Sequence, residues 1–443
     1  MLALNYQALN RLDIALTTFQ KAIKINDKHA STFNNIGNIY FAQGKFKEAK
    51  KYFGKALSIE PLMPEATNNL ATCQSKFGDF QSAEDNYKKA ILLEGNRADF
   101  YVNLGELLAE QGKFDNATEV FLKSLGLDKS KGAAYWHIFK IFMYRHRYED
   151  ALEIADIALQ STILSEPELC EILIGKAMLF WLFYNPEEGE QAIHLSEAVH
   201  QYKDKSRHMA NMAIFHNYLK MLFKIRKAQP SLYIAKENTS YKDIYFVSES
   251  HGFAPNNTFI NYKNEDYQVR SLFVFGAKVF HIINERDNKF KESLLTLFNG
   301  LPIDSKVVIG FGEIDCRSNE GIFTYCKKSG KDFNTVIEHM IQKYISILKA
   351  LAVEKNIEVI IYGVPAPHPS QIEQLLEEHD KAEFKEVLKL LNETLSQECQ
   401  NEGISFLDVY QLTNEQGISN LAYHIDAIHL KPETVPELFS LIA

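Results

Sequence analysis

The stretch YFVSESHGF, from Tyr245 to Phe253, places two serines, a glutamate and a histidine directly after a run of apolar and aromatic residues. A serine there can cap a following helix, or it can be a nucleophile held at the edge of a sheet. Near the other end of the chain, Asp426 and His429 stand three residues apart. At that spacing the carboxylate can orient the imidazole, as a serine hydrolase requires. Alternatively, Asp426 is a turn residue and His429 caps the last helix.

Five short apolar segments alternate with helical patterns between residues 242 and 443, which predicts a parallel sheet with helices on both faces. The segments are DIYFVSES, VRSLFVF, KVVIGFG, IEVIIYGVP and ISFLDVY. Ligands of such sheets bind beyond the carboxyl ends of the strands. The polar and glycine residues at these ends are therefore the predicted site: Ser248, Glu249, Ser250, His251, Gly276, Gly312, Glu313, Asp315 and Arg317.

In chain order these segments resemble the SGNH (GDSL-like) hydrolases, which carry a Gly-Asp-Ser strand end, a later glycine, a Gly-x-Asn-Asp turn and a C-terminal Asp-x-x-His. Ser-Glu-Ser at 248–250 would correspond to Gly-Asp-Ser and makes Ser250 the nucleophile, while Asp426 and His429 match without change. The resemblance covers roughly residues 242–443 and implies a flavodoxin-like α/β fold.

The resemblance also implies a mechanism. His429 removes the proton of Ser250, Asp426 orients His429, and Ser250 attacks an ester carbonyl. The backbone N–H groups of Ser250 and Gly276 bind the oxyanion, and no metal or organic cofactor is required. The implied substrate is a small acyl ester, for instance of a modified sugar, and transfer of the acyl group to a second alcohol is an alternative outcome.

One departure from the family pattern is Ile314, which stands where the family has its oxyanion asparagine. Loss of one such donor typically costs about 100- to 1000-fold in rate. Arg317 is expected to replace it, with Asn256 and Asn257 as other candidates. The remaining strand-end residues are expected to contact substrate: Glu249, His251, Gly312, Glu313 and Asp315. The competing interpretation is a non-catalytic binding or scaffold protein with a degenerate hydrolase-like domain.

The N-terminal half repeats itself at a step of 34 residues. Small and large positions recur in register, among them Ile36, Leu70, Leu104 and Ile138; Gly37, Ala71 and Gly105; Ala49, Ala83, Ala117 and Ala151; and Phe53, Tyr87 and Phe121. This resembles the tetratricopeptide repeat, in which helical hairpins stack into a solenoid with a concave groove. The resemblance implies a peptide or protein partner in that groove. The first unit is incomplete at Met1.

We therefore expect a multidomain chain: an all-α repeat solenoid over 1–160, a degenerate helical repeat and capping helix over 161–235, and the hydrolase-like α/β domain over 242–443. The net charge of −9 disfavours nucleic acid as the main partner. No apolar run reaches the roughly 18 residues of a membrane span, and the N-terminus lacks a signal-peptide pattern. Five scattered cysteines favour a reducing cytoplasm.

Overall fold

The structure of the chain is a computed structural model that describes residues 11–160, 164–183, 185–197, 207–236 and 239–442. Its internal contacts divide the chain into two units, Met1–Ile141 with Ser161–Leu164, and Phe142–Gln160 with Ser165–Ala443. This division falls at residue 141 and places the later helices in one unit with the α/β region. The domain boundaries drawn from the sequence at 160 and 235 remain a prediction about folding units.

The first unit is built from successive helical hairpins, as the 34-residue period predicts. The helices are α1 (Leu12–Ile25), α2 (Ala30–Ala42), α3 (Phe46–Ile59), α4 (Pro64–Lys76), α5 (Phe80–Leu93), α6 (Ala98–Glu110), α7 (Phe114–Leu127) and α8 (Gly132–Tyr144), whose last residues belong to the second unit. A Cβ on Gly105 of α6 would lie 2.6 Å from the ring of Phe121 of α7. The small residue therefore permits the close approach of the two helices, and the predicted repeat array is confirmed.

The turns inside the hairpins also follow the period. Gly44, Gly78 and Gly112 have φ of 72°, 74° and 76°. This left-handed conformation costs glycine nothing, because it has no Cβ. Each of these glycines therefore ends one helix and lets the chain reverse into the next.

The second unit begins with the helices α9 (Tyr148–Gln160), α10 (Glu166–Leu182), α11 (Pro186–Leu195) and α12 (Arg207–Ala228). Buried residues of α10, α11 and α12 form one hydrophobic cluster with Phe253, Ala254 and Phe273 of the α/β region. The helix expected to act only as a cap, α12, is thus also part of the packing around the strand ends.

The sheet has the strand order β2-β3-β1-β4-β5-β6. The strands are β1 (Lys242–Ser248), β2 (Phe259–Tyr262), β3 (Glu265–Phe273), β4 (Lys306–Gly310), β5 (Glu358–Tyr362) and β6 (Ser405–Leu407). All neighbouring strands run parallel except β2 and β3, which pair antiparallel. The sequence did not indicate β2. Ser248 pairs with Phe273 on one side and Gly310 on the other, so three strands end at the same edge.

Helices cover both faces of this sheet, as predicted. They are α13 (Val279–Ile283), α14 (Lys289–Gly300), α15 (Ile322–Ser329), α16 (Phe333–Val353), α17 (Pro369–Glu373), α18 (Glu378–Glu402), α19 (Val409–Thr413) and α20 (Thr434–Ile442), with a short pair β7 (Asn414–Glu415) and β8 (Ile418–Ser419). Val247 packs in the cluster that holds α14, α16 and α18, whereas Phe246 packs in the cluster that holds α20. Alternate residues of β1 therefore face opposite layers. Among the described helices, none is both long and apolar enough to cross a membrane.

Candidate functional site

Ser250, His429 and Asp426 meet at the carboxyl edge of the sheet. His429 Nε2 lies 2.9 Å from Ser250 Oγ, and the two residues are separated by 179 positions in the chain. On the other side of the ring, His429 Nδ1 lies 2.8 Å from Asp426 Oδ2. Ser250 is 8% exposed and His429 only 2%. The structure thus brings together the three residues that the sequence singled out as nucleophile, base and orienting carboxylate.

The loop before α20 fixes Asp426 and His429 relative to each other. Asp426 Oδ1 accepts the backbone N–H groups of Ile428 and His429, both at 2.8 Å. Burial alone would raise the pKa of Asp426, but the hydrogen bonds from the His429 ring and from these N–H groups outweigh it and lower the pKa to about 2. Asp426 is therefore ionised at neutral pH, and it can accept only from a protonated Nδ1. This leaves Nε2 of a neutral His429 as an acceptor for the hydroxyl of Ser250.

Ser250 is held in a short 3₁₀ turn, Ser250–Phe253, that follows β1. A Cβ on Gly252 would lie 2.5 Å from Ser248 Oγ, so this turn folds tightly against the end of the strand. Ser248 itself is fully buried, and its hydroxyl donates to the carbonyl of Glu249 at 2.9 Å. Of the two serines in the SESH stretch, Ser250 is the one in contact with His429.

Glu249 and His251 tie this turn to the loop that carries His429. Glu249 Oε1 lies 2.8 Å from His251 Nδ1, and His251 Nε2 lies 2.9 Å from the carbonyl oxygen of Ile428. Both partners are acceptors, so both ring nitrogens donate and the ring is an imidazolium. Burial by itself would lower the pKa of His251, but the charge and hydrogen bond of Glu249 raise it to about 9.

The Glu249 carboxylate also contacts the hydroxyl of Ser250, at 2.8 Å from Oε2. Burial would raise the pKa of Glu249, but the His251 charge and hydrogen bonds lower it to about 2. Glu249 is therefore an ionised acceptor, and it competes with His429 for the single proton of the Ser250 hydroxyl. Glu249 and His251 contact protein groups in this structure, and their expected contact with substrate stays a prediction.

The turn after β4 carries Ile314 and Arg317, the two residues that the sequence linked to the oxyanion hole. Ile314 opens the 3₁₀ turn Ile314–Cys316. Arg317 donates through Nε and Nη2 to the carboxylate of Glu313 at 2.8 to 3.1 Å. Arg317 does not point into bulk solvent, since its side chain is 25% exposed. Within the described residues it makes no hydrogen bond to Ser250, and its role as an oxyanion donor remains a prediction.

The other residues expected around the oxyanion have varied surroundings. Gly276 has φ of 64°, and a Cβ there would meet nothing within 4 Å, so the space beside it is open. Asn256 is unsuited to oxyanion binding, because its side-chain N–H groups donate to the carbonyls of Trp181 and Leu182. Asn257 Oδ1 accepts from Arg270. Gly276 thus remains the candidate donor with free space around it.

Gly312, Glu313 and Asp315 were also expected to contact substrate. Gly312 has φ of 131°, which only glycine adopts readily. Asp315 is buried, and its carboxylate accepts the backbone N–H groups of Val279 and Phe280 at 2.8 and 3.3 Å. Asp315 in this structure therefore anchors the start of α13 to the turn after β4, which is a structural role. Substrate contact by these three residues stays a prediction.

Three buried side chains lie close enough to share a cation: the ligand atoms of Glu249, His251 and Glu313 are within 4.8 Å of one another. A ring that donates from both nitrogens has no lone pair for a metal, and Arg317 already balances Glu313. The charges of this cluster are thus compensated by protein groups.

A small pocket adjoins the loop of His429, and its volume of about 10 Å³ leaves room for about one water molecule. Its lining includes Glu313, His368, Gln371, His424, Ala427 and Ile428. Burial lowers the pKa of His368 and that of His424, the latter to about 4. Both rings are therefore neutral at pH 7, and the lining combines them with one acidic residue and with apolar side chains such as Val364 and Leu388.

Two aromatic residues of the helices before the sheet complete the site, and the sequence did not indicate either of them. The ring of Tyr218, on α12, stacks on the imidazole of His429 with centroids 3.7 Å apart and planes 7° from parallel. Trp181, on α10, donates its indole N–H to the carbonyl of Phe253 at 2.7 Å, at the end of the nucleophile turn. Both residues follow an ordinary helical apolar pattern, which gives no signal of a role at a distant loop.

Comparison with known protein families places the repeats. Tetratricopeptide repeat models match residues 1–29, 30–61 and 74–133. The N-terminal part of the chain is therefore a tetratricopeptide repeat array, a class of domain that binds peptides or proteins. The search of curated proteins found no match.

Several solved structures are similar to this chain. The pilF protein of Pseudomonas aeruginosa is 18% identical with a TM-score of 0.40, covering 48% of this chain and 94% of its own. YrrB, described as a TPR protein with an unusual peptide-binding site, is 15% identical with a TM-score of 0.34, covering 46% and 97%. A tetratricopeptide repeat protein from Parabacteroides merdae is 17% identical with a TM-score of 0.39, covering 53% and 92%.

Proposed function

We propose that the second unit is a serine-dependent ester hydrolase or acyltransferase of the SGNH type, and that the repeats recruit a protein partner. The observation that carries the proposal is the chain of contacts from Ser250 Oγ through His429 to Asp426, with distances of 2.9 and 2.8 Å. A hydroxyl, a base and an ionised orienting carboxylate in this order are the parts that acyl transfer needs.

In the proposed reaction, His429 Nε2 takes the proton of Ser250 while Oγ bonds to the carbonyl carbon of an ester. The oxyanion is stabilised by backbone N–H groups at Ser250 and Gly276. The alcohol leaves with the proton from His429, and water or a second alcohol then releases the acyl group by the same steps in reverse. Asp426 stabilises the positive charge that His429 carries between these steps.

Two features support a slow enzyme. Ile314 lacks the side-chain donor that the family places in its oxyanion hole, and Glu249 competes for the proton of Ser250. The substrate in this proposal is the one that the sequence resemblance implies, a small acyl ester, for instance of a modified sugar.

The test is hydrolysis of p-nitrophenyl acetate by the purified chain. We expect slow turnover that Ser250→Ala and His429→Ala each reduce by at least about 100-fold, with the double variant little worse than either. Ser248→Ala is the matched control, because within the described residues Ser248 makes no hydrogen bond to His429 and its hydroxyl donates to the adjacent carbonyl of Glu249. We expect it to retain most of the parent rate.

The ordering of the variants decides between the proposals. Equal rates in the parent and Ser250→Ala would remove the serine hydrolase proposal. A loss confined to Ser248→Ala would mean that the other serine of the stretch is the nucleophile.

A second candidate function is a protein-interaction scaffold without catalysis, which the repeat matches favour. Asn69 on α4 donates to Asn34 and Asn38 on α2, and Asn103 on α6 donates to Asn68 on α4. Amide side chains are thus aligned along the first helices of successive repeats, where they can exchange these bonds for bonds to a peptide backbone.

Binding to the repeats is testable apart from catalysis. We expect the double variant Asn69→Ala with Asn103→Ala to raise the Kd of a peptide that binds the repeats by at least about tenfold, because each lost hydrogen bond costs about 1 kcal/mol. The rate on p-nitrophenyl acetate should stay at the parent value. Unchanged binding would place the peptide elsewhere than along these asparagines.

A further inference from the structure

We propose that Tyr218 is a positioning residue for catalysis, which holds the imidazole of His429 in line between Ser250 and Asp426. The inference rests on the proposed function of the site. It extends that function to α12, a helix outside the α/β region that carries Ser250, Asp426 and His429.

The contact itself is close and specific. The Tyr218 ring and the His429 ring are 3.7 Å apart at their centroids and 7° from parallel. Tyr218 is fully buried, and His429 is 2% exposed. A ring covered on one face in this way cannot tilt away from its two hydrogen bonds without breaking the stack, so Tyr218 restricts His429 to the orientation that contacts Ser250.

Tyr218 also packs against the nucleophile side of the site. Its ring meets that of Phe253 edge to face, at 6.4 Å and 82°, and Phe253 closes the turn that begins at Ser250. Ile425, next to Asp426, packs against the same cluster. One side chain of α12 therefore contacts both the turn with the nucleophile and the loop with the base.

Tyr218 acts through its ring and not as an acid or base. Within the described residues its hydroxyl makes no hydrogen bond to Ser250, His429 or Asp426, so it is not placed to pass a proton along these contacts. A ring without the hydroxyl should consequently do the same work. This separates a positioning role from a chemical one, because Tyr218→Phe keeps the stack and Tyr218→Leu removes it.

The experiment compares these two variants with the parent on p-nitrophenyl acetate. We expect Tyr218→Leu to lower kcat by about 2- to 12-fold, the rate equivalent of one aromatic stack. KM should stay at the parent value, because Tyr218 contacts the base and not the substrate. Tyr218→Phe keeps the ring and should have the same kcat as the parent. Leu219→Val, at the neighbouring and equally buried position of α12, is the packing control and should leave kcat unchanged.

A spectroscopic readout makes the test independent of turnover. The aromatic ring above His429 shifts the NMR signals of the imidazole protons upfield, and His429→Asn identifies those signals. We expect the shift in the parent and in Tyr218→Phe, and its loss in Tyr218→Leu. If Tyr218→Leu does not fold, Tyr218→Met also lacks a ring and carries the same expectation.

The outcomes separate the two proposals. A parent without Ser250-dependent hydrolysis would overturn the proposed function, and the catalytic role of Tyr218 with it. An active parent whose kcat is the same in Tyr218→Leu would overturn only the role of Tyr218. A Tyr218→Leu variant that retains the upfield signals would show that the ring does not lie on His429.

Discussion

The stability of the second unit should depend on the protonation of His251. The imidazolium donates to Glu249 at 2.8 Å and to the carbonyl of Ile428 at 2.9 Å, which joins the two loops of the candidate site. Its pKa of about 9 in the folded chain lies above the value of about 6.5 expected in an unfolded chain. The folded state therefore binds this proton more tightly than the unfolded state does.

The sign and size of the effect follow from this difference. The contribution to stability is fully present below about pH 6.5 and is lost as the pH rises through about 9. One pKa unit corresponds to about 1.4 kcal/mol, so the difference between the folded and unfolded pKa of His251 contributes about 3 kcal/mol to the free energy of unfolding. Glu249 belongs to the same pair and adds nothing further over this pH range, because its pKa is about 2.

The assay is urea unfolding followed by tryptophan fluorescence between pH 6 and pH 9.5. The chain has two tryptophans, and Trp136→Phe leaves Trp181, which is buried in the second unit, as the only reporter. We expect the free energy of unfolding to fall by about 3 kcal/mol over this range in that background.

The control is the double variant Glu249→Gln with His251→Asn, which removes both charges of the pair at once. The double variant will differ from the parent in its free energy of unfolding at any one pH. It should lack the fall in that free energy that the parent shows between pH 6 and pH 9.5. Other charged groups near His251, among them Glu313 and Arg317, are the same in both chains. An equal fall in the parent and in the double variant would refute the assignment of His251 as a doubly donating imidazolium.

The repeats provide two further predictions. Gly105→Ala should destabilise the first unit by about 1–3 kcal/mol, because the new methyl would meet the buried ring of Phe121 at 2.6 Å. Gly126→Ala, in the same hairpin with open space around it, should instead gain about 0.5–1 kcal/mol, and a loss there equal to that at Gly105 would contradict the packing argument. Tyr87→Phe should cost about 1 kcal/mol through the lost hydrogen bond to Thr72 at 3.0 Å. Tyr87→Asp should be far more destabilising, since it buries an unpaired charge. Thermal melting measures all four variants. A Tyr87→Asp variant that melts like the parent would show that the assigned repeat register is wrong.

Local pattern was enough to predict the repeats and most of the sheet. Small residues such as Gly37 and Gly105 recur with the 34-residue period, because a larger side chain at either position would clash with an aromatic ring of the next helix. The packing of the repeats can therefore be predicted from the sequence. The strands that end at Ser248 and Gly310 are continuous apolar runs, because helices cover both faces of the sheet. The two-stranded pairing of β2 with β3 was missed, since Phe259–Tyr262 is a short segment at the edge of the sheet.

The spacing of Asp426 and His429 likewise belongs to the sequence, because three residues in one loop fix a local geometry. The resemblance to the SGNH hydrolases named Ser250 as the partner of that pair, but the other groups that face it were decided by the tertiary structure. Ser250 reaches His429 across 179 residues, and His251 reaches the carbonyl of Ile428 across 177. In the sequence, Tyr218 is one of the apolar positions that mark the buried side of α12. In the structure, its ring stacks on the imidazole of His429. The spacing of apolar residues determines which side of a helix or strand is buried. The residues that pack against that side depend on the tertiary fold of the whole chain, which no short stretch of sequence specifies.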